Sequence, residues 1–455
     1  MKVQHDLEKF RETLKVRKER AALVAAILKR RSDGDNLAEL TALAESAGAV
    51  VADRFQQKIA QIRPKTYIGK GKVEELAERV KRFNVDVVIF DNDLSPAQIR
   101  ELEKALGAKV LDRSELILDI FATRARTRQA RLQVELAQLE YTYPRLTRMW
   151  GHLDTVAGAG GGTTAGAVGA IGTRGPGEKQ LEIDRRLVGK RLIELRRELA
   201  AIDRRRIREI DGREGMFKIS LVGYTNAGKS TLMNALTDAG VLVEDRLFAT
   251  LDTRTRKWAP QRGVEVLVSD TVGFVRDLPH QLVASFKATL EETVHADLLL
   301  HVVDVANPQA MRQVEAVEGV LHEIGCGDKP TVLVLNKVDD VRGLAALEML
   351  RTMYTQAVAL SARTGYGLDG LREAIVERFR GMDRLVRVRV DQGNGKVLSF
   401  LRAHGRIVEE RYEEQAAVVD VRLGRNQLPE LKRLRPDSME VLSGQETVAG
   451  MGCDE

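Results

Sequence analysis

Phe217-Lys218-Ile219-Ser220-Leu221-Val222 runs directly into Gly223-Tyr224-Thr225-Asn226-Ala227-Gly228-Lys229-Ser230, and Thr231 to Leu236 continue with helical spacing. A buried-type strand, a glycine-bearing turn and a helix in that order form the context in which a P-loop is credible. There the glycines let backbone N–H groups curl around phosphates, while Lys229 neutralises the β- and γ-phosphate oxygens. The Ser230 hydroxyl ligates Mg²⁺ at a helix N-terminus. A chance glycine turn can imitate this one segment, so its companions decide.

Val264 to Ser269 reads as a second strand and ends at Asp270-Thr271-Val272-Gly273. A carboxylate there can hold a Mg²⁺ water, and the Gly273 N–H can sense a γ-phosphate. Thr331 to Leu335 reads as a third strand, ending in Asn336-Lys337-Val338-Asp339. The Asp339 carboxylate can accept both N1–H and the exocyclic amine of guanine, a donor pair that adenine lacks. A site built around such a pair rejects analogues that leave the carboxylate unpaired. Val358 to Leu360 then leads to Ser361-Ala362-Arg363, whose backbone N–H groups can receive the guanine carbonyl. Four segments in this order, each at a strand end, predict a GTPase of α/β class over 216–382, with a mostly parallel sheet and helices on both faces.

The rest of the 455 residues has different grammar, and a chain of this length carries about three domains. Residues 1–112 alternate apolar strands (Ala21 to Leu28, Ala49 to Ala52, Val85 to Phe90, Lys109 to Leu111) with amphipathic helices, the rhythm of a small parallel sheet. Residues 113–215 read as a helical hairpin. Leu132, Leu136, Leu139 and Tyr143 mark one seam, and Val188, Leu192, Leu195, Leu199 and Ile202 mark the other, around a glycine-rich tip from Gly151 to Gly177. A first helix running from Ser114 to about Pro144 would carry that tip roughly 45 Å from its base. Residues 383–455 read as a small α+β module with strands Leu385 to Val390, Ile407 to Tyr412 and Ala417 to Leu423.

Composition narrows the class further. Aromatic residues make up only 4%, too few for a base-stacking single-strand binder. Cys326 and Cys453 stand far apart and the histidines are scattered, so neither a disulfide framework nor a zinc cluster is expected. The first twenty residues alternate acids and bases, which excludes the apolar core of a signal peptide, and no apolar run reaches the length of a bilayer span. A cytoplasmic protein without an integral membrane segment is expected, with peripheral membrane association left open. A net charge of +6 is modest, so nucleic-acid contacts must be sought in local clusters. Arg124, Arg128 and Arg131 recur along the first hairpin helix, and Lys190, Arg197, Arg204 and Arg208 along the second. From composition they read first as solvated faces paired to Glu135, Glu140, Glu194 and Glu198, with phosphate-binding stripes as the alternative.

Five further stretches carry a resemblance. They are Tyr67-Ile68-Gly69-Lys70-Gly71-Lys72, Asp91-Asn92-Asp93-Leu94-Ser95-Pro96, the run Ala130 to Tyr141, Gly172-Thr173-Arg174-Gly175-Pro176-Gly177-Glu178, and Phe248-Ala249-Thr250-Leu251-Asp252. With the P-loop they resemble the HflX family of ribosome-associated GTPases over nearly the whole chain. The resemblance implies GTP and GDP as ligands, Mg²⁺ held by Ser230 and Thr250, and Phe248 to Asp252 as the first switch, Thr250 closing on Mg²⁺ in the GTP state. Spacing alone would allow Thr253 or Thr255 that role. It also implies binding to the large ribosomal subunit, the hairpin tip approaching the peptidyl-transferase region, and splitting or rescue of stalled ribosomes under stress. A monomer is expected. Gly69-Lys70-Gly71-Lys72 lacks P-loop spacing and reads as a turn opening the helix at Val73; the alternative is a second phosphate-binding loop, consistent with the ATP-dependent RNA activity and secondary ATPase that the resemblance implies.

In Ras-like enzymes a glutamine after Asp-x-x-Gly orients the attacking water; here Phe274 takes that place and offers no hydrogen bond. Lys229, Asn226, Thr250 and Gly273 are therefore the candidate catalytic groups, and a partner must complete the site. Asn226 stands where potassium-activated GTPases carry an asparagine, so K⁺ near the phosphates is one reading and simple loop geometry the other. Two competing functions remain open: a ribosome-assembly GTPase of the Obg or Era kind, and a guanine-nucleotide sensor anchored on RNA.

Overall fold

Every side chain from Ala21 to Ile27 is buried in the first strand, β1 (Arg20–Leu28). Such continuous burial is what a parallel strand covered on both faces requires. β1 pairs in parallel with β2 (Val50–Ile59) and β3 (Val87–Phe90), and β4 (Lys109–Asp112) extends the sheet to the order β2-β1-β3-β4. Helices α1 (Asn36–Ser46), α2 (Lys70–Arg82) and α3 (Pro96–Leu106) make the crossovers. α3 is bounded by local chemistry: Ser95 and Gln98 form a capping box, Pro96 sits in the first turn, and Gly107 closes the helix at φ 67°. This computed structural model describes residues 18–28, 36–149, 176–211, 216–237, 247–248, 253–261, 264–276, 287–340, 342, 344–381, 384–391, 393–413, 416–424 and 427–442.

The single helix expected from Ser114 to Pro144 is two helices, α4 (Arg113–Arg124) and α5 (Arg128–Met149). Ala125 turns the chain at φ −64° and ψ 106°, and the Thr127 hydroxyl accepts from the Ala130 N–H at 3.1 Å, restarting the helix. The lever is thus shorter than the sequence suggests, because α4 buries Leu116, Ile117, Ile120 and Phe121 instead of extending. Pro176 and Gly177, expected in the tip, open α6 (Pro176–Asp211); proline is well tolerated in a first turn. The remainder of the tip lies outside the described residues. Leu132, Leu136 and Leu139 of α5 do pack on Val188, Leu192, Leu195 and Leu199 of α6. Arg128 pairs with Glu198 at 2.9 Å and Arg191 with Glu135 at 2.7 Å, so residue numbers rise on one helix as they fall on the other: the helices are antiparallel.

A second sheet has six strands, ordered β10-β9-β8-β5-β7-β6. They are β5 (Phe217–Gly223), β6 (Arg254–Gln261), β7 (Val264–Asp270), β8 (Leu298–Asp304), β9 (Thr331–Asn336) and β10 (Val358–Ala359). Only β6, at the edge, is antiparallel. Helices α7 (Lys229–Thr237), α8 (Lys287–Val294), α9 (Ala310–Glu323), α10 (Leu344–Met353) and α11 (Leu368–Gly381) connect the strands. Leu232, Val266, Leu300 and Leu371 belong to one apolar cluster, and Val303, Val314, Leu335 and Leu350 to another.

The C-terminal residues form an antiparallel sheet in the order β12-β13-β11-β14, built from β11 (Arg384–Asp391), β12 (Arg406–Tyr412), β13 (Ala416–Leu423) and β14 (Ser438–Val441). With α12 (Gly395–His404) and α13 (Leu428–Arg433) this is a β-α-β-β-α-β arrangement. Val386, Val388, Val390, Val419 and Val421 face the helices, while Arg387 bonds Asp420 bidentately on the other face at 2.7 and 2.8 Å. By its packing the chain divides into two compact units. Described residues of Met1–Ile202, Glu244–Asp252 and Asp277–Ala288 form one, and those of Asp203–Val243, Thr253–Arg276 and Thr289–Glu455 the other.

Candidate functional site

The motifs read from the sequence meet at the carboxyl ends of β5, β7, β9 and β10, the edge where open α/β sheets bind ligands. β5 delivers Gly223, and the turn Tyr224 to Gly228 feeds α7, whose first residues are Lys229 and Ser230. Asn226 adopts φ 61° and is exposed at the top of this turn, whereas Ala227 is buried. Lys229 is 6% exposed, and its ammonium donates to the carbonyls of Gly223 at 3.0 Å and Tyr224 at 2.8 Å. Burial lowers its pKa to about 8, with the Asp270 carboxylate opposing the shift. The Thr225 hydroxyl is buried without a hydrogen-bond partner among the described residues, a group fitted to meet a phosphate oxygen.

Asp270, fully buried at the end of β7, accepts a 2.6 Å hydrogen bond from the Ser230 hydroxyl. A hydroxyl and a carboxylate converging beside Lys229 are hard oxygen donors of the kind Mg²⁺ takes when phosphates and water supply its other ligands. Among the described residues no group of three or more His, Cys, Asp or Glu could hold a metal by itself. Thr271 donates to the Leu221 carbonyl at 2.7 Å, and Val272 is buried, so the strand end is anchored up to Gly273.

Asn336 has a role that spacing does not reveal. Its amide donates to the Ala227 carbonyl at 2.9 Å and accepts from the Ala362 N–H at 3.0 Å, tying the P-loop to the turn after β10. Gly228 is required beneath it: at φ 95°, a Cβ there would lie 2.3 Å from the Asn336 amide nitrogen. Lys337, at φ 66°, braces the same loop, donating to the Asn226 carbonyl at 2.9 Å and to Asp304 at 2.7 Å. Asp304 is a site residue that none of the motifs names; it closes the apolar run of β8, a signal the sequence does carry.

The Ser361-Ala362-Arg363 turn needs a correction. The Ser361 N–H donates to the Tyr366 carbonyl at 2.9 Å and the Ala362 N–H to Asn336, so two of the three expected donors to the base are committed within the protein. Asp339 remains partly open, with Arg363 2.6 Å from its carboxylate. The Ser361 hydroxyl, and after it Arg363, hold the Asp339 carboxyl below the ordinary range, so it is ionised. Val338 is half-buried between these two loops.

Ala249, Thr250, Leu251 and Asp252 lie outside the described residues. Phe248 is described, and its ring is packed rather than presented to a ligand. It is 2% exposed and meets Phe121 edge-on at 4.5 Å, while the neighbouring Leu247 N–H donates to the Ser46 hydroxyl at 3.2 Å. His301, one of the scattered histidines, is buried on β8; burial, then Lys229, push its pKa down to about 4 and keep it neutral. Gly69, of the Gly-Lys-Gly-Lys stretch, opens α2, and Lys72 pairs with Glu75 at 2.5 Å.

Comparison with known proteins agrees with this arrangement. Residues 34–122 match the family described as GTP-binding GTPase N-terminal, 124–213 the GTP-binding GTPase middle region, and 218–337 the 50S ribosome-binding GTPase. The chain is 43% identical over 411 residues to the GTPase HflX of Lacrimispora saccharolytica, covering 90% of this chain and 94% of that one. With the GTPase HflX of Escherichia coli K12 it shares 42% over 406 residues, 88% of this chain and 92% of the relative. A crystal structure of SsGBP with GDP aligns over 79% of this chain and 98% of its own at 25% identity, with a TM-score of 0.44. Identity at this level over nearly the whole length, joined to a P-loop braced by Asn336 and Lys337 at the switch edge of the sheet, means that the chain belongs to the HflX family and is a GTPase.

Proposed function

We propose that this GTPase binds GTP with Mg²⁺ in the loop Gly223 to Ser230, engages the large ribosomal subunit in that state, and splits or rescues stalled ribosomes. It then leaves after hydrolysis that the subunit stimulates. The convergence of Lys229, the Ser230–Asp270 pair and the Thr225 hydroxyl around one loop carries the nucleotide reading. Ser230, Asp270 through water, and Thr250 by family resemblance would hold Mg²⁺, which screens phosphate charge when bound. Lys229 donates to the β- and γ-oxygens, Asp339 accepts from guanine, and the Arg363 N–H faces the base carbonyl.

Phe274 is 3% exposed and cannot orient water, so the transition-state group comes from the partner, a contribution of about 10³–10⁵ in rate. The ribosomal reading is supported by the family and by α6. There Lys190 and Arg197 are exposed and without an ion pair among the described residues, two turns apart on one face. Guanidinium and ammonium groups left open in this way suit RNA phosphates.

The decisive measurement is GTP turnover with and without purified large subunits, run beside gradient sedimentation of intact ribosomes with a non-hydrolysable GTP analogue. Stimulation of about 10³-fold or more and conversion of ribosomes to subunits are expected. Turnover indifferent to the subunit would sink the reading. The exposed Asn226 is proposed to help seat K⁺ beside the phosphates; equal subunit-stimulated rates in K⁺ and Na⁺ would remove that role.

A further inference from the structure

Three hydroxyls stand in one row across the GTPase sheet. Ser220 of β5 is in register with Ser269 of β7, and Ser269 with Thr255 of β6, so the three share a face. Ile219, Leu221 and Val268, which alternate with them, belong to the apolar cluster. Helix α8 answers the row with two consecutive polar side chains. The Thr255 hydroxyl donates to the Glu292 carboxylate at 2.8 Å, and the hydroxyls of Thr293 and Ser220, both fully buried, lie 3.1 Å apart. Thr255 and Ser269 are 2.9 Å apart. A hydroxyl has one proton, and Thr255 gives its own to Glu292. Ser269 is therefore the donor to Thr255, and the chain from Ser269 through Thr255 to Glu292 runs in one direction.

The row ends one residue short of the site. Ser269 precedes Asp270, which holds Ser230, and α8 is the first helix after Gly273, whose N–H is read as the sensor of a γ-phosphate. Neighbouring residues of a helix project about 100° apart. One bond to β6 and another to β5 therefore fix the rotation of α8 as well as its shift along the sheet. An apolar helix face can slide on apolar strands at little cost. A row of hydroxyls met by a matched polar pair penalises every other register, because each buried group would lose its partner.

Resting on the reading of Gly223 to Ser230 as the phosphate loop, we infer that this row is a register lock for α8 and that Thr255 and Glu292 are positioning residues for GTP hydrolysis. Through α8 they hold the segment that begins at Gly273 where its N–H meets the γ-phosphate. Neither side chain belongs to the phosphate loop, so the lock acts on the step that uses the γ-phosphate. GDP carries no such group, and its affinity is independent of the lock.

The test uses the full chain carrying Thr255→Val, Thr255→Ser, Glu292→Leu, or Thr255→Val with Glu292→Leu. Single-turnover GTP hydrolysis is measured with and without large subunits, beside the dissociation constant of fluorescent GDP. Thr255→Val keeps the shape and strand propensity of threonine but has no proton to give. It should slow hydrolysis about tenfold, the factor expected of one hydrogen bond to a carboxylate. Glu292→Leu should slow it at least as much, and the double variant no more than the slower single change. Thr255→Ser keeps the hydroxyl and should stay within about twofold of the parent, as should GDP affinity in every variant. Hydrolysis unmoved by Thr255→Val, single effects that add, or GDP affinity falling together with the rate each overturn the lock. Should Glu292→Leu fail to fold, Thr255→Val against Thr255→Ser decides alone. A parent chain that binds no guanine nucleotide would overturn the phosphate-loop reading and the lock with it. One that hydrolyses GTP without responding to subunits would overturn only the ribosomal reading, and the subunit-free rates would still decide the lock.

Discussion

Lys229 shows how burial tunes one side chain for its ligand. Its pKa of about 8 lies below the ordinary 10.5, so between these values the folded chain binds fewer protons than the unfolded one and gains stability as pH rises. Phosphate binding has the opposite sign, since phosphate oxygens favour the ammonium. Above about pH 8 binding must take up a proton, and GDP affinity should fall with a limiting slope of about tenfold per pH unit. Titrations from pH 7 to 9 check this; a flat profile contradicts it. Asn336 makes a second residue-level case, because its amide bonds two backbone partners on different loops. Asn336→Ala leaves a buried carbonyl and a buried N–H unpaired, at a cost of about 2–4 kcal/mol, read as a lowered urea midpoint and weaker GDP binding.

Among the elements, α4 is tied to its sheet by one buried cation. Arg113 is 2% exposed and meets Glu39 at 2.6 Å and Asp91 at 2.7 Å, so it pins α1, the end of β3 and α4 together. Arg113→Met fills the volume but removes the cation from between two carboxylates, and the expected loss is about 3–5 kcal/mol. Thermal unfolding should show it, and a shift within error would mean that water rescues the pair. The same region explains the shortened lever. Helical periodicity continues through Ala125 and Thr127, yet α4 ends there because burying Ile117, Ile120 and Phe121 outweighs a straight continuation into α5.

At the scale of the whole molecule, the proposed ribosomal interaction is electrostatic in its long-range part. Lys190→Glu with Arg197→Glu should weaken binding to large subunits and flatten its dependence on salt, by about 0.7–0.9 in log–log slope for each phosphate left without its cation. Intrinsic GTP turnover without subunits should stay within about twofold, since neither side chain belongs to the nucleotide loop. An unchanged salt slope would assign these residues to a solvated face. Within the described residues no helix is long and apolar enough to cross a membrane.

The amino-acid order alone determined the strand, turn and helix around Lys229, the placing of three further motifs at strand ends, and the two seams of the hairpin. Each depends on short-range rules: the periods of strand and helix, and the turn chemistry of glycine. Only the tertiary structure decided that Asn336 and Lys337 brace the P-loop, that Ser361 and Ala362 have spent their N–H groups, that Phe248 lies against Phe121, and that Tyr224 reaches Arg276. These are pairings between atoms distant in the chain, and a polar group's partner is chosen by which strands become neighbours, a choice that no local pattern encodes.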